Sequence, residues 1–274
     1  MTYETILVDI ADGGVAMLTF NRPHKKNAMN PKLHDEVSAA LEALRYDRAA
    51  KVVVITGAGD AFSSGMDLKE YFVDLKDRPD EYDRINRLSI EWRGRTIRHF
   101  PKPTIAMVNG YCFGGALPIV ESCDLALCAE EATFGLSEIN YKNFPAGSVT
   151  RSLINILPPR ELLWYTLTGR PWDGRKAVEM GLVNAAYPLA SLRDETLMVA
   201  REIAAKDASA LQSAKETYRF SLGLDWDAAV NFANAKLAQH KQRQNDAFRE
   251  EGIKDFLDGK YRPGLESHDA VNKS

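Results

Sequence analysis

Pro103-Thr-Ile-Ala-Met-Val-Asn-Gly-Tyr-Cys-Phe-Gly-Gly-Ala116 carries the transition that decides the fold. Residues 103–108 form an apolar β-rich run closed by Asn109-Gly110, as expected of a strand that ends in a turn. From Gly114 to about Ser122 the chain suits a short buried helix, and Leu125-Ala-Leu-Cys128 reads as the next strand. The same order stands upstream. Ile6–Ile10 and Val15–Phe20 flank Asp12-Gly13-Gly14, which predicts a hairpin. Leu33, Val37, Leu41 and Leu44 recur at helical spacing. Val52-Val-Val-Ile55 is a continuous β-branched run, expected of a strand buried on both faces. Repeated βα alternation predicts an α/β fold with a parallel sheet.

After residue 150 the strand signal fades, and segments 159–168, 173–181, 190–205, 208–221 and 225–258 read as helices. The expected organisation is one continuous unit, with an α/β core over 1–200 and a helical C-terminal region over 201–274. The polar tail after Gly264 is expected to fray.

Composition excludes several classes. The 274 residues carry 35 basic and 38 acidic side chains, a net charge of -3, which argues against phosphate neutralisation along a nucleic acid. No apolar run is long enough to span a bilayer, and Met1-Thr-Tyr-Glu lacks the start of a secretory leader. Cys112, Cys123 and Cys128 fit no zinc spacing and cannot all pair, so a reducing cytoplasm is expected. Gly57-Ala-Gly59 lacks the third glycine of a dinucleotide fingerprint, and the five histidines flank no hydrolase elbow or zinc helix.

Two glycine turns follow strands: Phe62-Ser-Ser-Gly65-Met66-Asp67 and Gly110-Tyr-Cys-Phe-Gly114-Gly115-Ala116. Glycine lets the backbone turn sharply there, and the first N–H groups of a following helix have no partner. Two such amides from two loops can converge on one oxygen and hold an oxyanion formed from a thioester carbonyl. Each loop taken alone reads first as an ordinary turn. Glu138 lies in the mostly apolar run Ala132-Thr-Phe-Gly-Leu-Ser-Glu138-Ile. Desolvation there would raise its pKa toward the range of a general base; a surface glutamate at a turn is the competing reading. Asp67 suits a helix cap and Asp124 a buried structural acid. Arg22, Lys25 and Lys26 form a basic cluster that suits phosphate groups or a solvated turn. Cys112 reads as packed, and Tyr71, Phe72 and Trp92 as core aromatics near the first glycine turn.

Taken in order, Asn21-Arg22-Pro23 with Asn27-Ala28-Met29, Phe62–Asp67, Pro103–Gly110, Cys123–Ala126, Thr133–Glu138 and Ala177–Val183 resemble the crotonase (enoyl-CoA hydratase/isomerase) superfamily. Within it, Gly65–Phe72, Asn109–Gly115, Phe134–Asn140 and the ending Phe256–Gly264 resemble the hydroxycinnamoyl-CoA hydratase-lyases. The resemblance implies a ββα superhelix core with a helical C-terminal trimerisation region. It implies hydration of an aryl enoyl-CoA and retro-aldol cleavage to an aromatic aldehyde and acetyl-CoA. Plain hydration, or isomerase or hydrolase chemistry on the same scaffold, is the alternative.

By the same resemblance, Met66 and Gly115 are the oxyanion donors and Glu138 the acid/base. Tyr71 contacts a phenolic hydroxyl, and Lys25, Lys26 and Ala28 hold the CoA. Phe256 and Lys260 reach the CoA of a neighbouring subunit in a trimer or dimer of trimers. No cofactor is implied beyond the CoA of the substrate. Three features depart from the pattern: Pro118 replaces a hydrogen-bonding residue, Asn234 stands where the relatives carry a second phenol-contacting tyrosine, and Tyr141–Gly147 is one residue longer and brings a lysine. A non-catalytic RNA-binding member is the contrasting class. The acidic balance and the intact glycine turns speak against it.

Overall fold

The structure, a computed structural model, describes residues 2–262 and 264; the tail beyond Gly264, expected to fray, lies outside the described residues. In chain order the elements are β1 (Ile6–Ala11), β2 (Val15–Phe20), α1 (Pro31–Tyr46), β3 (Val52–Gly57), β4 (Ala61–Ser63) and α2 (Pro79–Ile90). There follow β5 (Thr104–Val108), β6 (Tyr111–Phe113), α3 (Leu117–Ser122), β7 (Leu125–Ala129), β8 (Thr133–Gly135), α4 (Ser148–Leu153) and α5 (Pro159–Thr168). The chain ends through β9 (Trp172–Asp173), α6 (Gly174–Glu179), β10 (Ala185–Tyr187), α7 (Leu189–Ala204), α8 (Ala208–Ser221), α9 (Trp226–Arg243) and α10 (Lys254–Leu257).

Two sheets share these strands. The larger runs β1-β2-β3-β5-β7-β10, parallel from β2 onward, and the smaller runs β4-β6-β8-β9. Each of three successive units places one strand in the large sheet and the next in the small one, then a helix: β3-β4-α2, β5-β6-α3 and β7-β8-α4. This is the expected ββα superhelix, and a helical C-terminal region follows it. Every residue of β3 and β5 is buried, which explains their unbroken apolar text. Phe20, Phe62 and Trp92 meet edge-to-face at the centre, with Phe20 5.6 Å from Phe62 and 6.3 Å from Trp92.

The position of the small sheet decides where function lies. β4, β6 and β8 are parallel neighbours, so their carboxyl ends point the same way. The first glycine turn follows β4, the second follows β6, and Glu138 follows β8. Three segments distant in sequence therefore leave one sheet edge side by side, where ligands bind in α/β sheets.

Four expectations need correction. β9 and β10 are strands beyond residue 150; at two and three residues they are too short to show any periodicity. The 225–258 helix is interrupted, with Asn245 at φ 48° and Asp246 at φ 60° between α9 and the turn that precedes α10. α2 and the π-helical turn that continues it over Glu91–Thr96 were not read as helical at all. Arg22 is not part of a phosphate-facing cluster. It is buried, and it bonds Asp67 at 3.0 Å, Glu70 at 2.5 Å and the Ala28 carbonyl at 2.5 Å.

The C-terminal region is tied to the core by Asp124. Its carboxylate accepts from Thr104 N (2.8 Å) and Thr104 Oγ1 (3.0 Å) and pairs with Lys215 (2.6 Å) and Arg219 (3.5 Å) of α8. Both cationic side chains are only 9% exposed, so removing their shared partner leaves charge with little compensation. Asp124→Ala is expected to lower unfolding free energy by about 3 kcal/mol, read as a reduced urea midpoint with unchanged slope.

Candidate active site

The Asn21–Asn30 segment explains how the first glycine turn is held. Asn27 Nδ2 donates to the carbonyls of Ala58 (2.9 Å) and Ala61 (2.7 Å), and its Oδ1 accepts from Arg22 N (2.9 Å). Ser63 Oγ donates to Asn27 O at 2.8 Å. Met29 N donates to Gly65 O (2.8 Å) and Asp67 N to Met29 O (2.9 Å), a parallel bridge that pairs Met29 with Met66. In such a bridge Met29 uses the groups on either side of Met66, so the Met66 N–H faces away from it. Asp67 caps the following π-helical turn, accepting from Lys69 N (3.1 Å) and Glu70 N (3.0 Å).

Gly115 lies in the first turn of a 3₁₀ segment whose first closing bond runs from Leu117 N to Gly114 O. Its own N–H precedes that bond and has no partner within the turn. The two turns touch. A side chain on Gly65, at φ 94°, would come within 2.8 Å of Phe113 O and 3.3 Å of Gly115 N. Only glycine allows this approach, and it brings Met66 and Gly115 onto the wall of one cavity.

Glu138 closes that space. It opens a 3₁₀ turn just after β8 and is 8% exposed. A Cβ on Gly114 would stand 2.5 Å from its Oε1, so the carboxyl rests against the second glycine turn. Its Oε2 is buried with no hydrogen-bond partner. Burial holds the carboxyl pKa above the ordinary glutamate value, the direction a general base needs at neutral pH.

These groups border a cavity of about 220 Å³, with Met66, Gly114, Gly115 and Glu138 on its wall. Tyr71 lines it as well. It is 2% exposed, and its hydroxyl donates to Asn86 Oδ1 at 3.0 Å. Burial pushes its pKa up to about 12, so the phenol is neutral. Phe72, Tyr82, Phe113, Tyr141 and Phe144 supply aromatic walls. Trp92 is core, as expected, and Cys112 is fully buried with its thiol pKa well above the usual value through desolvation.

Met66, Gly115, Glu138 and Tyr71 thus line one cavity. Ala28 is buried behind the first turn. Lys25 and Lys26 are exposed, and Lys26 pairs with Asp60. Their main chain adjoins the cavity through Ser64, whose N–H donates to Lys26 O at 2.9 Å.

Pro118 and Asn234, expected at the acyl pocket, do not border the cavity of this chain. Pro118 is buried inside α3, after the glycines that form the wall. Asn234 is exposed on α9, which packs on α8. Phe256 and Lys260 are also exposed and away from the cavity, with Lys260 bonded to Asp255 at 2.6 Å. Arg93, Asn86 and Tyr82 are wall residues that the sequence reading missed, because the helix carrying them went unread. Among the described residues no group of His, Cys, Asp and Glu is placed to hold a metal ion, and no helix is long and apolar enough to cross a membrane.

A family model described as enoyl-CoA hydratase/isomerase matches residues 11–263. The chain is 43% identical over 268 residues to a hydroxycinnamoyl-CoA hydratase-lyase of Pseudomonas fluorescens, covering 97% of each chain. An enoyl-CoA hydratase structure from Mycobacterium smegmatis superposes with a TM-score of 0.87 at 28% identity, covering 97% of this chain and 99% of that one. The human enoyl coenzyme A hydratase domain-containing protein 3 does so with a TM-score of 0.86 at 25% identity, covering 94% and 99%.

Proposed function

The chain belongs to the enoyl-CoA hydratase/isomerase family, and from that premise we propose that it hydrates a 4-hydroxycinnamoyl-type CoA thioester and cleaves the adduct to an aromatic aldehyde and acetyl-CoA. The observation that carries this reading is the Glu138 carboxyl, buried and unpartnered at Oε2, resting on Gly114 where the two glycine turns meet. Main-chain donors at such a junction stabilise charge that develops on a thioester oxygen.

Glu138 takes a proton from water, and the oxygen adds to the β-carbon. The displaced electron pair moves to the thioester oxygen, held by the N–H groups of Met66 and Gly115. A proton then returns to the α-carbon. In cleavage the β-hydroxyl gives its proton to Glu138 and the Cα–Cβ bond breaks. Its electron pair regenerates the enolate, which is protonated to acetyl-CoA, while the β-carbon leaves as the aldehyde. Tyr71 faces the aryl end and Lys25, Lys26 and Ala28 the CoA. Asn234, Phe256 and Lys260 act at the site of a neighbouring subunit in a trimer or dimer of trimers, and Pro118 shapes α3 behind the second donor.

Plain hydration without cleavage is favoured by one observation: Pro118 and Asn234 stand where the hydratase-lyases carry a hydrogen-bonding side chain and a second phenol-contacting tyrosine. Incubation with 4-hydroxycinnamoyl-CoA and feruloyl-CoA separates the two. Equal amounts of aldehyde and acetyl-CoA are expected; a stable β-hydroxy thioester with no aldehyde contradicts cleavage.

A further inference from the structure

Arg93 is 5% exposed, lines the acyl cavity, and has no carboxylate within salt-bridge distance among the described residues. Its neighbours along the chain differ. Arg84 pairs with Asp35, Arg87 with Asp83 and Arg98 with Glu121, whereas Arg95 is exposed. Arg93 instead bonds three neutral acceptors: Nε to Ser89 O (2.8 Å), Nη2 to Ser89 Oγ (3.2 Å) and Nη1 to Gly115 O (2.6 Å). A guanidinium carries five N–H groups, so one on each terminal nitrogen is left over. Burial lowers its pKa to about 10, which leaves it a cation at neutral pH. A buried cation without an anion is costly, and such charges are normally paired.

The surroundings say what completes the pair. Arg93 lies in the π-helical turn Glu91–Thr96, and Tyr71 in a second one, Leu68–Val73; such turns are frequent at functional sites. Ser89, which Arg93 bonds, donates its hydroxyl to Asn86 O at 2.8 Å, the same residue that accepts from Tyr71. Tyr71 has already given its single proton to Asn86 Oδ1. It can accept from a ligand but has no second proton to give. Donors for a negative oxygen at this end of the cavity therefore come from Arg93.

We propose that Arg93 is a specificity-determining residue that receives an anionic oxygen at the far end of the acyl group, either an ionised 4-hydroxyaryl ring or a carboxylate in the same place. The inference rests on the thioester reading above and names its substrate class. A phenolate there would also feed electrons toward the β-carbon during cleavage.

The test uses Glu138→Gln protein, which holds substrate without turnover, and Glu138→Gln/Arg93→Met. Calorimetry measures the binding of cinnamoyl-CoA, 4-hydroxycinnamoyl-CoA and 4-carboxycinnamoyl-CoA to each. Charge-assisted hydrogen bonds predict about a 10- to 100-fold preference for an acidic ester over cinnamoyl-CoA, lost in the double variant. Preference for the hydroxy ester identifies the phenolate source, and preference for the carboxy ester the carboxylate.

A second readout leaves Arg93 in place. The absorption of bound 4-hydroxycinnamoyl-CoA is followed against pH, with Tyr71, Tyr82 and His34 as the titratable neighbours. A phenol pKa lowered by at least about one unit is expected from a tenfold stronger grip on the anion. No ester preference and an unshifted phenol pKa overturn the inference alone, as does an Arg93→Met change that weakens all three esters equally. Failure of every aryl thioester to bind overturns the proposed function along with it.

Discussion

Glu138→Gln removes hydration and cleavage, with activity falling by about 100- to 10,000-fold, the range that a positioned acid–base group supplies. The glutamine keeps the shape of the side chain but cannot take a proton from water. Thioester binding should persist, because the main-chain donors at Met66 and Gly115 are untouched. The pH profile follows from the same burial. Desolvation holds the Glu138 pKa above its ordinary value of 4.5. Hydration needs the carboxylate, so kcat/KM falls on the acid side at a higher pH than a solvated glutamate would set. The sign for stability is opposite. The folded state binds this proton more tightly than the unfolded chain. The resulting contribution is fully present below pH 4.5 and is lost as pH rises through the folded pKa. At neutral pH the neutral amide escapes that cost, so the inactive variant should melt at the same or a higher temperature than the parent. A variant that loses both activity and stability would contradict this assignment.

Gly114→Ala is expected to cost about 100-fold in activity with a modest loss of stability, near 1 kcal/mol. Gly114 sits at φ 48°, a conformation that disfavours a side chain. The added Cβ would stand 2.5 Å from Glu138 Oε1. The clash falls on the free end of a flexible side chain, so the fold can relieve it by moving the carboxyl. That movement is what the chemistry cannot tolerate, since a displacement of about 1 Å at a reacting group can cost about 100-fold. Gly65→Ala meets main-chain atoms instead, Phe113 O at 2.8 Å and Gly115 N at 3.3 Å, and should damage folding first. Rates and melting temperatures of the two variants, measured together, separate these outcomes.

The readable parts of the site share one property. The hairpin, β3, β5 and β7 are long apolar runs between turn residues, and the glycine turns and Glu138 lie directly after strands. Local sequence therefore announced both the element and the position of the functional group within it. Arg93 had no such signal. Arg84, Arg87, Arg95 and Arg98 surround it, and the charged text of α2 hides the apolar stripe of Ile85, Leu88 and Trp92. Arg93 follows the buried Ser89 by one helical turn, so its inward position is a matter of charge rather than phase: an arginine among arginines reads as surface. Arg22 misled for the opposite reason. Its neighbours Lys25 and Lys26 are exposed, but its own partners, Asp67 and Glu70, lie more than forty residues away in the chain. Pairings of that span are not written locally.

The central claim is that one thioester oxygen sits between two main-chain N–H groups with Glu138 at the β-carbon. A crystal structure of Glu138→Gln protein with 4-hydroxycinnamoyl-CoA measures it directly. The account predicts the carbonyl oxygen at about 2.7–3.1 Å from both Met66 N and Gly115 N, with the residue 138 amide beside the β-carbon. A carbonyl bound to only one of the two nitrogens, or a β-carbon out of reach of residue 138, contradicts it.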